Sequence, residues 1–209
     1  MTDTFSVLFD NGFLVAFDKP SGLSSIRGRG DKGPSLHERV SRAEARPIFI
    51  AHRLDKDTSG AIVFARDAAS HRRLNQLFEQ RQVKKLYLAW VLGRPAEDSG
   101  KVDAPLREFG SGRVAVNPRG KPAVTRWKVL RREKDRSLLE VAPETGRRHQ
   151  IRAHLFSIGH PVLGDRVYGS PRPVGNAPRL LLHAREILIP WDGPEPLRIL
   201  APIPSDFPY

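Results

Sequence analysis

Short apolar segments rich in β-forming residues, separated by turn residues, recur along this chain and favour a fold built mainly from strands. The clearest is a hairpin, in which residues 7–9 and 13–17 flank Asp10-Asn11-Gly12, because Asn-Gly between two apolar runs is typical of a tight hairpin turn. The tail from Pro190 is Pro-rich and is predicted to be irregular. The same pattern predicts further strands at 48–50, 61–65, 86–91, 125–129, 138–141, 180–182 and 186–189.

Helices are predicted over residues 35–45, 67–81 and 147–158. Asp67 is a suitable N-cap for the second helix, and Gly159 closes the third. Apolar residues at helical spacing are expected to face the core, namely Leu74, Leu77, Phe78, Ile151, Leu155 and Ile158. Many strands with a few helices between them predict an α+β fold around a largely antiparallel sheet, and we expect one domain over residues 1–209.

The charge of the chain indicates its partner. Lys and Arg number 35 against 23 Asp and Glu, a formal net charge of +12 over 209 residues. Such a field attracts polyanions, of which nucleic acid is the commonest. The absence of cysteine excludes disulfides and thiolate metal sites. No apolar run suits a membrane span and the start does not resemble a secretory signal, so we expect a cytoplasmic protein, and self-repulsion favours a monomer.

A glycine-rich segment, residues 28–33, matches the dinucleotide-binding pattern G-x-G-x-x-G. That motif requires a buried strand immediately before its first glycine. Here Ser24, Ser25 and Arg27 precede it, which argues against a nucleotide site. Two interpretations stay open, a basic loop that contacts RNA phosphates and a plain surface loop.

The segment 146–154 contains two histidines, His149 and His154, that are five residues apart. This spacing puts them on different faces of a helix, and no carboxylate lies between them, so a metal site is not expected. Arg148 and Arg152 are four residues apart at the predicted helix start, where anions are favoured. A solvated basic face explains the same residues equally well.

A polar loop at residues 52–60 lies between two predicted apolar strands. An Asp in a loop is usually a turn or capping residue. Asp55, however, has Arg53 two residues before it, and a carboxylate held beside cations in a partly dry pocket can stay ionised, as a nucleophile or base requires. The residues alone therefore indicate a basic α+β protein with a carboxylate–arginine site, without identifying a reaction.

Several ordered motifs resemble those of the RluA-type pseudouridine synthases. They extend over nearly the whole chain, from about residue 7 to residue 184. The matching segments are Asp18-Lys19-Pro20-Ser21-Gly22-Leu23, His52-Arg53-Leu54-Asp55 with Thr58-Ser59-Gly60, Lys84-Lys85-Leu86-Tyr87-Leu88-Ala89, Gly146-Arg147-Arg148-His149-Gln150-Ile151-Arg152-Ala153-His154, and Gly159-His160-Pro161-Val162-Leu163-Gly164-Asp165.

The resemblance implies the pseudouridine synthase fold, a central, mainly antiparallel sheet with a long basic cleft, and isomerisation of uridine in structured rRNA or tRNA without a cofactor. Asp55 would be the catalytic carboxylate and Arg152 its ion-pair partner. Tyr87 would be a catalytic residue that stacks on the target base and helps to remove the C5 proton. Arg53 would replace the flipped base in the helix. Apolar contact with the uracil is implied for Leu182, and RNA contacts for His52, Arg148, His149 and Gln150.

Two other functions compete with this interpretation. A non-catalytic RNA-binding protein that kept the fold would be expected to lack Asp55, Tyr87 or Arg152, and all three are present. A nuclease would need clustered carboxylates for a metal or a His pair across a phosphate, and the sequence has neither pattern. Many members of the resembled family carry an N-terminal RNA-binding module. We expect none here, so that loops such as 28–33 and 108–121 would select the RNA.

Overall fold

The computed structural model describes residues 5–28, 31–44, 47–168, 175 and 177–209. Within these residues the chain forms two compact units. Unit 1 comprises Met1–Lys84 and Ala184–Tyr209, and unit 2 comprises Lys85–His183. The predicted mainly antiparallel α+β architecture is confirmed, because the recorded strand pairs are antiparallel.

Unit 1 is built on a sheet in which β1, β2, β4 and β11 follow one another, with β3 beside β4 and β12 beside β11. All seven residues of β4 are buried, and apolar side chains from β2, α2 and β11 pack with it in one core. The elements are β1 Val7–Asp10, β2 Leu14–Lys19, α1 Leu36–Ala43, β3 Phe49–Ile50, β4 Ser59–Ala65, α2 Ala68–Glu79, β11 Leu182–Ile189 (in unit 1 from Ala184) and β12 Leu197–Leu200.

Unit 2 has the strand order β5-β10-β9-β6 and a separate two-stranded sheet, β7-β8. Helix α3 packs Ile151 and Leu155 into a core that also contains Ala89, Val141 and Leu182. The elements are β5 Lys84–Leu92 (in unit 2 from Lys85), β6 Ser99–Asp103, β7 Leu106–Glu108, β8 Val114–Val116, β9 Val124–Arg132, β10 Arg136–Pro143 and α3 Gln150–Ser157.

The local signals for caps and turns were accurate. The β1–β2 hairpin forms as predicted, with the Asn11 carboxamide accepting hydrogen bonds from the backbone N–H groups of Phe13 and Leu14 at 3.1 and 2.8 Å. The Asp67 carboxylate caps α2 by accepting from the N–H of Ser70 at 2.8 Å.

The third helix differs from its prediction. His149, its N-cap, has φ 51°, a left-handed conformation outside the helical path. The helix therefore begins at Gln150, and Arg148 lies in the preceding turn rather than one helical turn from Arg152 on the same helix. Ile158 is the C-cap and is 38% exposed, so the prediction that it faces the core was wrong.

Other element boundaries also needed correction. The strands predicted at 180–182 and 186–189 are replaced by one strand, β11, which begins only at Leu182, and the tail predicted to be irregular contains β12. Helix α2 ends at Glu79, two residues before the predicted end. Strands β6, β7 and β8 were not predicted, because β6 and β7 are short and largely polar, and the three apolar residues of β8 are too few to show a strand pattern. None of the helices in the described ranges combines the length and hydropathy that a bilayer crossing requires.

Candidate active site

A buried lysine fastens the loop that carries Asp55. Lys19, at the end of β2, has no exposed surface, and its ammonium donates to the carbonyl oxygens of Pro20, Leu23 and Lys56 at 2.9, 2.7 and 2.9 Å. The three N–H donors of an ammonium thus match three backbone acceptors. Since Lys56 follows Asp55 directly, Lys19 fixes the backbone beside the carboxylate.

Two serines complete this attachment. Ser25 is buried, and its hydroxyl donates to the carbonyl of Leu54 at 2.9 Å while accepting from the N–H of the same residue at 3.1 Å. The Ser21 hydroxyl donates to the carbonyl of Asp57 at 2.7 Å. Residues on both sides of Asp55 are therefore held by the 19–25 segment. These contacts explain the structural role of the motif at residues 18–23.

The glycine that ends the Asp55 loop is required by close packing. Gly60 has φ 111°, a conformation that side chains rarely adopt, and it pairs with Lys19 across β2 and β4. A Cβ atom on Gly60 would collide with the carbonyl oxygen of Ala184 on β11. Any larger residue would therefore displace β4 from its neighbour and move the loop.

Burial dominates the charge state of Lys19. It lowers the pKa of the ammonium to about 7, although the carboxylates of Asp57, Asp55 and Asp18 act in the opposite direction. Removal from water disfavours the charged form, and nearby negative charge favours it. The lysine is thus both an anchor for the backbone and a cation near Asp55.

The predicted residues of this loop occupy different environments. Asp55 is half-buried, and its carbonyl accepts from the N–H of Thr58 at 3.1 Å, which forms the turn after the carboxylate. Arg53 is exposed. His52 is half-buried, with Nε2 accepting from the N–H of Val63 at 3.0 Å and its ring stacked on Phe78 at 4.9 Å. These contacts give His52 a packing role, and its contact with RNA stays a prediction.

In unit 2, Arg152 forms a buried two-point ion pair. Its Nε and Nη2 donate to the two carboxylate oxygens of Asp165 at 2.7 and 2.9 Å, and the side chains are 5% and 0% exposed. Asp165 also accepts from the N–H groups of Val167 and Tyr168 at 2.8 and 3.1 Å. The guanidinium orientation is therefore fixed within unit 2, while the expected pairing of Arg152 with Asp55 stays a prediction.

The residues just before Arg152 are held mainly by internal hydrogen bonds. The buried carboxamide of Gln150 accepts from the Thr145 hydroxyl at 2.6 Å and from the N–H of Arg147 at 3.0 Å. Its amide nitrogen donates to the carbonyl of Val124 and to the hydroxyl of Thr125 at 2.8 and 3.0 Å. The two hydrogen bonds accepted by the oxygen and the two donated by the nitrogen are thus all made within the protein. An RNA contact of Gln150 stays a prediction.

The histidines of this segment lie in the interior or at its edge. His149 is half-buried, with its ring edge-on to Tyr168 at 6.2 Å. His154 is fully buried, hydrogen-bonded to the Thr125 hydroxyl and to the Ala104 carbonyl, and burial lowers its pKa. Across the described ranges, no group of three or more His, Asp or Glu side chains is placed to hold a metal ion.

Tyr87, the residue expected to stack on the target base, lies beside the apolar cluster that contains Leu182. Tyr87 is half-buried on β5 and packs against the core cluster that includes Leu182, which is 3% exposed. An aromatic face that is only partly covered can stack on a base. Unit 2 therefore supplies an aromatic platform backed by buried aliphatic side chains.

A basic pocket of about 470 Å³ lies in unit 2 between the β7–β8 region and the turn before α3. Arg148 lines it and forms an exposed ion pair with Glu108. Five cations and one carboxylate contribute to its walls, so its charge favours anions. The lining cations are Arg107, Arg119, Lys121, Arg147 and Arg148.

Comparison with known proteins identifies the family of this chain. The sequence model of the RNA pseudouridylate synthase family matches residues 13–157, well over half of the chain. The chain belongs to this family. It is therefore an RNA pseudouridine synthase, an isomerase.

Individual relatives and a solved structure confirm the RluA-type assignment and the α+β synthase fold. The chain is 39% identical over 211 residues to an RNA pseudouridine synthase of Zymomonas mobilis, covering 96% of this chain and 94% of that protein. It is 40% identical over 188 residues to the dual-specificity RNA pseudouridine synthase RluA of Escherichia coli K12, covering 88% and 85%. The solved structure of human RNA pseudouridylate synthase domain containing 4 matches with a TM-score of 0.80 and 29% identity, covering 97% and 90%.

The structure of this synthase adds residues whose roles the sequence did not indicate. In the sequence, Lys19 and Asp165 stand out only as parts of motifs, because their buried contacts with Lys56 and Arg152 join positions 37 and 13 residues apart. Ser25 stands out only as a polar residue before the glycine-rich loop. The available signal was the presence of charged residues inside otherwise apolar surroundings, as in β2, where Lys19 follows buried residues.

Proposed function

We propose that this synthase isomerises uridine in structured rRNA or tRNA and that the carboxylate of Asp55 is its catalytic group. The observation that carries the proposal is the fixed backbone around Asp55, held by Lys19 and by Ser25. Catalytic groups act best when neighbouring contacts lock them in place before the substrate arrives. A half-buried carboxylate on such a loop meets that requirement.

The reaction conserves atoms. The bond from ribose C1′ to uracil N1 breaks, the ring turns, and a bond from C1′ to C5 forms. The proton on C5 is lost and N1 gains one. Asp55 would supply the carboxylate that starts this rearrangement, and Arg152 would keep that carboxylate ionised. The rigid Arg152–Asp165 pair supports this role, because it holds the guanidinium in one orientation.

The target base must leave the RNA helix to reach a carboxylate, which costs a few kcal/mol. We propose that Tyr87 stacks on the flipped base, a contact worth about 1–3 kcal/mol. The half-buried ring and the apolar cluster behind it, with Leu182, support this role. Arg53 is exposed and would fill the gap left in the helix.

The basic pocket supports binding of an RNA backbone. Arg148 and Lys121 are two of its lining residues, and phosphate contacts from such residues provide sequence-independent affinity that falls with salt. We propose that the two units act as one catalytic domain, in a monomer. We further propose the cytoplasm as its location, where ribosomal and transfer RNA are processed.

The experiment uses RNA from cells that lack the protein, labelled with tritium at uridine C5 and separated into ribosomal and transfer fractions. Wild type should release tritium from at least one fraction, because pseudouridine formation removes the C5 hydrogen. Mapping of pseudouridine in the RNA fraction that releases tritium then identifies the modified nucleotide. Tight binding to both fractions without tritium release would contradict the proposal and favour a non-catalytic RNA-binding protein. The word dual-specificity in the name of the Escherichia coli relative supports testing both fractions.

A further inference from the structure

Lys85 lies on the strand that carries the proposed base-stacking residue. It is two positions before Tyr87 in β5, and strand alternation places both side chains on the same face. Two residues along a strand span about 7 Å, a distance comparable to that between a base and the backbone of its own nucleotide. Lys85 is therefore placed to reach the backbone of RNA whose base stacks on Tyr87.

The ammonium of Lys85 lies against a chain segment without a side chain. A Cβ atom added to Gly146 would be 3.8 Å from Lys85 Nζ, and Gly146 itself is exposed. Arg147 and Arg148, which follow, are exposed cations. Gly146 adds no side chain beside the ammonium, and the neighbouring charges favour an anionic ligand.

Within the described part of the chain, Lys85 Nζ makes neither a hydrogen bond nor an ion pair, although its side chain is half-buried. Burial lowers the pKa of Lys85 to about 8, and no neighbouring carboxylate acts against this. Lys19, which is fully buried, instead donates to three carbonyl oxygens. A buried charge without partners is costly in a folded protein, and such a site is completed when an anion binds.

We propose that Lys85 binds a phosphodiester oxygen of the RNA next to the target uridine. The inference rests on the proposed function, since it requires RNA as the substrate and Tyr87 as the stacking residue. Phosphate is the anion that RNA presents at every nucleotide, and a hydrogen bond between an ammonium and a phosphate is among the stronger ones. Lys85 thereby contributes to RNA affinity without contacting the reacting atoms.

The test compares Lys85→Met and Lys85→Arg with wild type, using the RNA fraction that wild type modifies. Lys84→Met is the matched control, because Lys84 is exposed and points to the other face of the same strand. Lys85→Met should weaken RNA binding about 10-fold at pH 7. It should also lower the slope of log affinity against log salt by about 0.7 to 0.9. Its kcat with saturating RNA should stay close to wild type, and Lys84→Met should change affinity much less.

The pH dependence of RNA binding gives a second readout. Phosphate binds the protonated ammonium, so the affinity of wild type should fall as pH rises from 7 to 9, through the pKa of about 8. Lys85→Arg keeps its charge over this range and should bind RNA with little change. The RNA affinity of Lys85→Met should not show this fall between pH 7 and 9. Thermal unfolding should show that Lys85→Met is at least as stable as wild type, since Met places no charge in this half-buried position.

Equal affinity and equal salt slope for Lys85→Met and wild type, with wild type active, would overturn this inference alone. A lower kcat with unchanged affinity would also overturn it, since the lysine would then act on the base rather than on a phosphate. Absence of turnover by wild type with any RNA would instead overturn the proposed function, and this inference with it.

Discussion

Replacing Asp165 with Asn tests whether the buried ion pair holds Arg152 in place. The substitution keeps the size of the side chain and one oxygen, which can still accept from the N–H groups of Val167 and Tyr168. The new amide group, however, faces the Nε–H of Arg152 as a second donor. A charge-assisted hydrogen bond is worth about 1.5–3 kcal/mol, and breaking a buried pair by removing one partner costs about 3–5 kcal/mol. Since one oxygen remains, we expect a loss of about 3 kcal/mol.

The free energy of unfolding can be measured by urea titration and the midpoint temperature by calorimetry. For a chain of this length, a loss of about 3 kcal/mol corresponds to a fall of roughly 6–12 °C in Tm. Asp192→Asn is the matched control, because Asp192 pairs with Arg73 and both side chains are largely exposed, at 67% and 46%. An exposed pair contributes about 0–1 kcal/mol, so the control should unfold close to wild type.

The same variant should lose turnover, because Arg152 would no longer be held in one orientation. Single-turnover rates with saturating RNA should fall at a temperature where Asp165→Asn is fully folded, while RNA affinity changes little. A destabilisation below about 1 kcal/mol, equal to that of Asp192→Asn, would refute the argument that the buried pair orients Arg152.

Three further predictions concern the Asp55 loop and the basic pocket. Gly60→Ala should cost more than about 2 kcal/mol of stability, because its Cβ would collide with the Ala184 carbonyl, whereas Gly33→Ala, with open space around it, should cost little in urea titrations. For Lys19→Met, the stability of wild type relative to the variant should rise by about 1.4 kcal/mol per pH unit between about pH 7.5 and 9.5. The pKa of Lys19 is 10.5 in the unfolded chain and about 7 in the folded chain, so the cost of burying the charged ammonium is full below pH 7 and disappears as pH rises. A stability difference that does not change with pH would contradict this. Arg148→Ala should leave Tm nearly unchanged but lower the salt slope of RNA binding by about 0.7 to 0.9, and an unchanged slope would remove Arg148 from the RNA surface.

Local sequence signals predicted much of the fold. The turn at Asn11 and the N-cap at Asp67 depend on side chains bonding to backbone groups two or three residues away, so the sequence suffices to find them. Strand β12 and the start of α3 depend on tertiary context. β12 is stable because it pairs with β11, and α3 begins late because His149 adopts a left-handed conformation. Such features arise from long-range packing.

The candidate site shows the same distinction between local and long-range signals. Motifs predict Asp55 and Arg152 as site residues, and the structure gives each a fixed local environment. The contacts that fix them come from Lys19 and Asp165, whose importance depends on burial and on partners distant in the sequence. Gln150 was expected at the RNA surface, yet it is buried, and its carboxamide is fully used within the fold. Residue type alone does not separate a polar side chain that binds RNA from one that supports the loop.

The central claim is that the carboxylate of Asp55 carries the chemistry and contributes little to RNA binding. The most direct measurement is single-turnover tritium release by Asp55→Asn beside wild type, with RNA affinity measured for both proteins in the same buffer. We expect Asp55→Asn to bind with near wild-type affinity and to release no tritium above background. Release at a rate within about tenfold of wild type, a barrier difference of roughly 1.4 kcal/mol, would contradict the assignment of Asp55 as the catalytic group.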